Sequence, residues 1–140
     1  MLREDQLPNH LSLTLIARFL FAALFLLSGV THFTNIPGYV TLMHDGVPYR
    51  EFWVVVSGVV ELAGAVMILF NRRPRLGAWL LIVFLVPVTF VVHGYEMVNA
   101  QNEAWRVVQQ AHFFKGFALI GAALLITQVG VSQRSRTDER

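Results

Sequence analysis

Residues 52–70, FWVVVSGVVELAGAVMILF, are apolar or small throughout except for one carboxylate, Glu61, midway along the run. As a helix rising about 1.5 Å per residue, the run is roughly 30 Å long, the thickness of a bilayer's hydrocarbon core. An ionised group at that depth costs about 2.5–3.5 kcal/mol, so the side chain must be protonated, paired or turned toward a polar cavity. Ser57, Gly58, Gly64 and Ala65 flank it at helical spacing and leave room for a neighbouring helix. Glu61 is therefore expected to face other helices rather than lipid.

Three further apolar runs give an all-α chain, a four-transmembrane-helix bundle with spans at about 11–33, 52–70, 76–95 and 111–130. With 140 residues there is room for one integral membrane domain over 1–140, ended by flexible arms 1–10 and 131–140, with Asn9 or Ser12 as the expected first cap. Only 14% of residues are charged and 55% are hydrophobic, against a charged fraction near a quarter in soluble domains. The net charge is +2 and the arginines sit beside apolar runs, so no nucleic-acid partner is inferred; the lipid bilayer is the expected surrounding. Cysteine is absent, which removes disulfides, thiolate nucleophiles and cysteine-ligated clusters within this chain. The first run is long, contains Arg18 and lacks a small-x-small cleavage site, so it is expected to stay attached.

Arg72, Arg73 and Arg75 surround Pro74 in a tight turn, and the tail carries Arg134, Arg136 and Arg140. The other two connections hold only Arg50 and Arg106, offset by Asp45, Glu51, Glu96 and Glu103. The positive-inside rule then places both termini in the cytoplasm and connections 34–51 and 96–110 outside a bacterial inner membrane. Each outer connection is expected to carry a short interfacial helix, over 39–44 and through Met97, Gln101, Ala104, Trp105 and Val108. Pro87 should kink the third span and free the carbonyl of Val83.

Two sets of polar residues remain. Arg18 lies on one stripe with Ala22, Phe25, Gly29 and His32, and either snorkels to the near interface or pairs with Glu61 as a buried polar pair. If paired, Arg18→Leu strands a carboxylate and is the worse change, because Glu61→Gln keeps an acceptor. At the outer face His32, His93 and His112 end or begin spans, with Tyr39, Tyr95, Glu96 and Lys115 beside them and His44 and Asp45 near. Such a cluster can relay protons, meet a quinone oxygen, or place two imidazoles on a haem iron. No paired-histidine or His-Glu-x-x-His spacing exists, so no metal site is assigned; quinone is the preferred cofactor and haem the second. Ser28, Ser57 and Thr89 are expected to bond backbone carbonyls rather than act as nucleophiles, and catalytic residues are unassigned.

Arg18, then LFLLSGVTHF, DGVP, GVVELAGAVMIL, an arginine-flanked turn, His93 and HFFKGFALIGAALLI together resemble the DoxX family of four-helix membrane proteins over residues 14–128. The family's Arg, Glu, His and Lys positions fall on Arg18, Glu61, His93 and Lys115, while Gly116 stands where many relatives have Asn. The resemblance implies a membrane subunit of a redox or oxidative-stress system, linked to thiosulfate:quinone oxidoreduction and thiol stress, with a membrane or periplasmic redox partner. A non-enzymatic scaffold or assembly factor is the alternative, a small proton-coupled transporter the third reading, and self-association stays open.

Overall fold

The computed structural model describes the backbone of residues 10–135 and the side chains of residues 10–128. Residues 1–9 and 136–140 lie outside the described residues, and with them most of the first expected arm, including Asn9, and half of the second; residues 131–135, expected to begin that second arm, instead continue the last helix. The described chain is helical: α1 (Leu11–Thr34), α2 (Ile36–Thr41), α3 (Arg50–Leu69), α4 (Pro74–Pro87), a π-helix (Val88–Gly94), α5 (Tyr95–Asn99) and α6 (Glu103–Ser135). Four stretches of 24, 20, 26 and 26 residues are long and apolar enough to cross a membrane: α1, α3, the α4–π–α5 rod and the first part of α6.

Local chemistry explains where these elements begin. His10 occupies the cap of α1 without a side-chain bond, so Ser12 lies inside the helix and caps nothing. Asn35 accepts from the Gly38 amide at 3.3 Å and Pro37 occupies the first turn, which starts α2 at Ile36, three residues before the 39–44 stretch expected for a short loop helix. Arg50 bonds Asp45 at 2.7 Å and the Met43 carbonyl at 3.4 Å, tying the following loop to the start of α3. Residues 103–110 do not form a separate surface helix. Asn102 accepts from the Trp105 amide at 2.8 Å, and this cap starts the fourth span eight residues before the expected 111. At Pro87 the break takes the form of a π-helix: the missing N–H lets the ladder slip to a wider turn over seven residues.

The long helices pack in the order α1, α3, α4, α6, each against the next, and among the described residues α1 and α6 make no close backbone approach. The row is open rather than closed. One half is dry and dense: Ala22 and Phe25 of α1, Ala65 and Ile68 of α3, Ala78, Leu81, Ile82 and Leu85 of α4 and Ala123 of α6 form one buried cluster. Large side chains such as Leu13, Leu20, Leu27, Val59 and Leu125 are more than half exposed and face outward, as lipid-facing positions do.

The α3–α4 crossing depends on two glycines. A Cβ on Gly64 would stand 2.9 Å from the Gly77 carbonyl oxygen, and one on Gly77 would stand 2.7 Å from the Gly64 carbonyl oxygen. Backbone cannot step aside as a flexible side chain can, so Gly64→Ala or Gly77→Ala should cost about 1–3 kcal/mol through overpacking. Gly121→Ala, where a Cβ meets nothing within 4 Å, should be neutral or slightly stabilising. Thermal unfolding in detergent is the measurement; equal Tm values for all three variants would contradict the tight crossing.

Candidate functional site: a cavity between the first and last spans

A cavity of about 1010 Å³ is lined by α1 and α6 together with α2, α3, α4 and the π-helix. Its walls are mostly apolar, from Leu24 and Phe25 through Val54, Val60 and Phe84 to Leu119, with polar groups gathered in two places.

The first group surrounds Glu61, which is 1% exposed. Ser28 donates its hydroxyl to Glu61 Oε2 at 3.2 Å, and His32 Nδ1 lies 3.0 Å from the same oxygen. His32 Nδ1 also lies 2.8 Å from the Ser28 carbonyl oxygen. Because that carbonyl can only accept, Nδ1 carries the hydrogen and donates it to the carbonyl, with the carboxyl oxygen close beside it. Thr31 donates to the same carbonyl at 2.7 Å, so the 2.7 Å contact between Thr31 and Tyr39 is donated by the Tyr39 hydroxyl. The His32 ring stacks on Tyr39 with centroids 3.8 Å apart and meets the Phe84 ring edge-on at 6.0 Å. Helix α2 is thereby folded down over the end of α1.

The second group lies on the π-helix and α6. His93 Nδ1 donates to Gln109 Oε1 at 2.8 Å, and its ring stacks on His112 at 5.1 Å with planes 17° apart. Lys115 donates to His112 Nδ1 at 2.9 Å. The two imidazoles turn faces rather than ring nitrogens toward each other, which is not the arrangement of two axial haem ligands.

Several expectations are revised by this geometry. Arg18 is not the partner of Glu61. Ser28 and Glu61 are level in the antiparallel α1–α3 pair, so Arg18, ten residues earlier, is displaced by about 15 Å toward the Arg72–Arg73 turn. There it is only partly exposed, consistent with its snorkelling alternative. His32 belongs with Glu61 rather than with the other two histidines, although all three line the cavity. Tyr95 and Glu96 do not line it: Tyr95 packs edge-on against His44 at 5.0 Å, and Glu96 accepts from the Trp105 indole at 3.0 Å. Ser57 bonds the Val54 carbonyl as expected, whereas Ser28 bonds a carboxyl and Thr89 has no partner among the described residues.

Sequence reasoning passed over Gln109, which is 2% exposed and holds His93. Its signal was its place one turn before His112 on what proves to be a single helix.

The family model of DoxX matches residues 13–94 of this chain. No curated protein and no solved structure matches it. The match spans α1 through the π-helix and stops before α6, so Gln109, His112 and Lys115 lie outside it.

The hydrogen-bond geometry around Glu61 sets an order of damage. Glu61→Ala removes the acceptor of the half-buried Ser28 hydroxyl and opens space beside the buried His32 ring, at about 1–3 kcal/mol. Glu61→Gln keeps an acceptor oxygen and should cost less. Arg18→Leu, which breaks no ion pair among the described residues, should stay within about 0.5 kcal/mol. Detergent Tm values checked in parallel decide this; Arg18→Leu proving the most damaging would restore the Arg18–Glu61 pair.

Proposed function

The chain belongs to the DoxX family of membrane proteins, and from that premise we propose that it is a membrane subunit of a redox or oxidative-stress system whose interior holds a lipid-soluble quinone. The observation that carries this reading is the cavity between α1 and α6. At about 1010 Å³ it lies at the upper end of the roughly 300–1,000 Å³ typical of small-molecule sites. Its wall is apolar, with few polar groups, as suits a ring with an alkyl tail. An occupant dissolved in the bilayer can enter between two helices whose backbones make no close approach, without passing through water.

The two polar groups suit the reading. A quinone ring carries two oxygens on opposite sides, and the cavity carries hydrogen-bonding groups on opposite helices: Tyr39, His32 and Glu61 against His93, His112 and Lys115. A carboxyl and imidazoles can also accept or release protons as the quinone gains or loses electrons. The electrons would pass to or from a membrane or periplasmic partner. The proposed setting is a bacterial inner membrane, with Arg72, Arg73 and Arg75 on the cytoplasmic side together with both termini. Reporters fused after residue 140 and within residues 42–48 should then be active on opposite sides; activity on the same side would refute that orientation.

Trp53 and Trp105 line the cavity, so binding has an internal reporter. Titrating a decyl-substituted benzoquinone into the detergent-purified protein should quench tryptophan fluorescence to saturation, and solvent extraction of freshly purified protein should release quinone. Protein that releases none and shows no saturable quenching would eliminate this function and leave the scaffold reading in its place.

A further inference from the structure

A neutral imidazole that gives away its Nδ1 hydrogen keeps a lone pair on Nε2 and can only accept there. Two histidines of the cavity are fixed in that tautomer, from opposite walls. On α1, His32 Nδ1 is 2.8 Å from the Ser28 carbonyl, which cannot donate. On the π-helix, His93 Nδ1 is 2.8 Å from Gln109 Oε1, which cannot donate either.

The second nitrogen of each ring is left over. Among the described residues neither His32 Nε2 nor His93 Nε2 has a hydrogen-bond partner, and neither is sealed off: the one buried side-chain nitrogen or oxygen without a partner is the Thr89 hydroxyl. For His32 this is a narrow opening, since the residue is only 4% exposed, its Nδ1 side lies against Ser28 and its ring stacks on Tyr39. Both rings line the cavity, which puts the two lone pairs within reach of whatever fills it.

Oxygens differ in how they meet such a pair. A carbonyl oxygen only accepts, so it leaves both lone pairs unanswered, whereas a hydroxyl donates to one and still accepts from elsewhere. His112, stacked on His93, supplies that complement: its Nδ1 takes a hydrogen from Lys115, which leaves its own ring hydrogen on Nε2. Of the other hydroxyls on the His32 side, Tyr39 spends its hydrogen on Thr31 and Ser28 spends its own on Glu61. Neither serves His32.

We infer that the cavity selects a ligand that donates hydrogens, a hydroxylated aromatic ring on an apolar tail, and so holds the hydroquinone form in preference to the quinone. This rests on the cavity reading above and adds the redox state of the occupant. A hydroquinone carries two hydroxyls on opposite sides of one ring, and a phenolic lipid carries one; both answer His32 Nε2 or His93 Nε2. A site built around a hydroxyl discriminates against the analogue that lacks it, because the protein's own polar groups are then left unpaired.

The test is calorimetric titration of the full-length protein in a neutral detergent, without oxygen, with decyl-substituted hydroquinone, the matching benzoquinone and 4-decylphenol. The hydroquinone should bind about tenfold or more tighter than the quinone, with the phenol between them. His93→Phe, which keeps a ring and removes the acceptor, should lower the hydroquinone-to-quinone affinity ratio several-fold, and His32→Phe should do the same. If the quinone binds wild-type protein as tightly as the hydroquinone, or more tightly, the function stands and this inference is overturned. If the phenol binds, the quinone does not, and extracted protein releases neither redox form, the hydrogen-donor site stands and the quinone function falls. Failure of all three probes to bind overturns both. An unchanged ratio in folded His93→Phe and His32→Phe overturns the assignment to these nitrogens, and should both variants unfold, the order of the three probes on the wild type decides.

Discussion

A carboxyl group buried among helices has to find donors inside the protein, and in this chain Glu61 finds them on a single neighbour. Ser28 and His32 are four residues apart on α1, so one helical turn presents a donating hydroxyl and an imidazole nitrogen to the same oxygen. That contact sets the register of α1 on α3. It also draws in α2, because the Ser28 carbonyl that holds His32 takes the Thr31 hydroxyl, which in turn accepts from Tyr39. A network of this kind in a low-dielectric surrounding holds its geometry firmly when every member is satisfied and is expensive to leave half made.

The molecule divides its length between two tasks. In one half, small residues let backbones approach until carbonyl oxygens stand close to glycines, and Phe25, Ile68 and Leu81 fill what is left. In the other, Pro87 and the π-helix widen the third span, α1 and α6 stay apart, and polar side chains line the space. Density is needed where lipid supplies no hydrophobic drive for helices to associate and packing must hold them together. The open half can exist because the dense half anchors all four spans.

The part of the chain that the DoxX model matches carries Glu61, His32 and His93, whereas the opposing wall of the cavity comes from α6, beyond the match. Each wall is incomplete without the other. His93 takes its ring orientation from Gln109 and stacks on His112, so the last residues of the matched region are held by side chains outside it.

The helical class, the four crossings, the burial of Glu61 and the small-residue face around it were all legible in the amino-acid sequence, because a bilayer imposes a length and a composition on any segment that crosses it. Helix ends were less legible: the Asn102 cap was hidden in a mixed polar stretch, and the effect of Pro87 depended on how the surrounding helices absorbed a missing hydrogen bond. The partner of Glu61 was not legible at all. Arg18 and His32 lie on the same stripe, and periodicity treats both as candidates; only the antiparallel register, an outcome of which small residues meet across α1 and α3, brings His32 level with the carboxyl and leaves Arg18 about 15 Å away. Composition along the chain thus determined that polar groups would be buried, whereas the packing of one helix on another decided which of them touch.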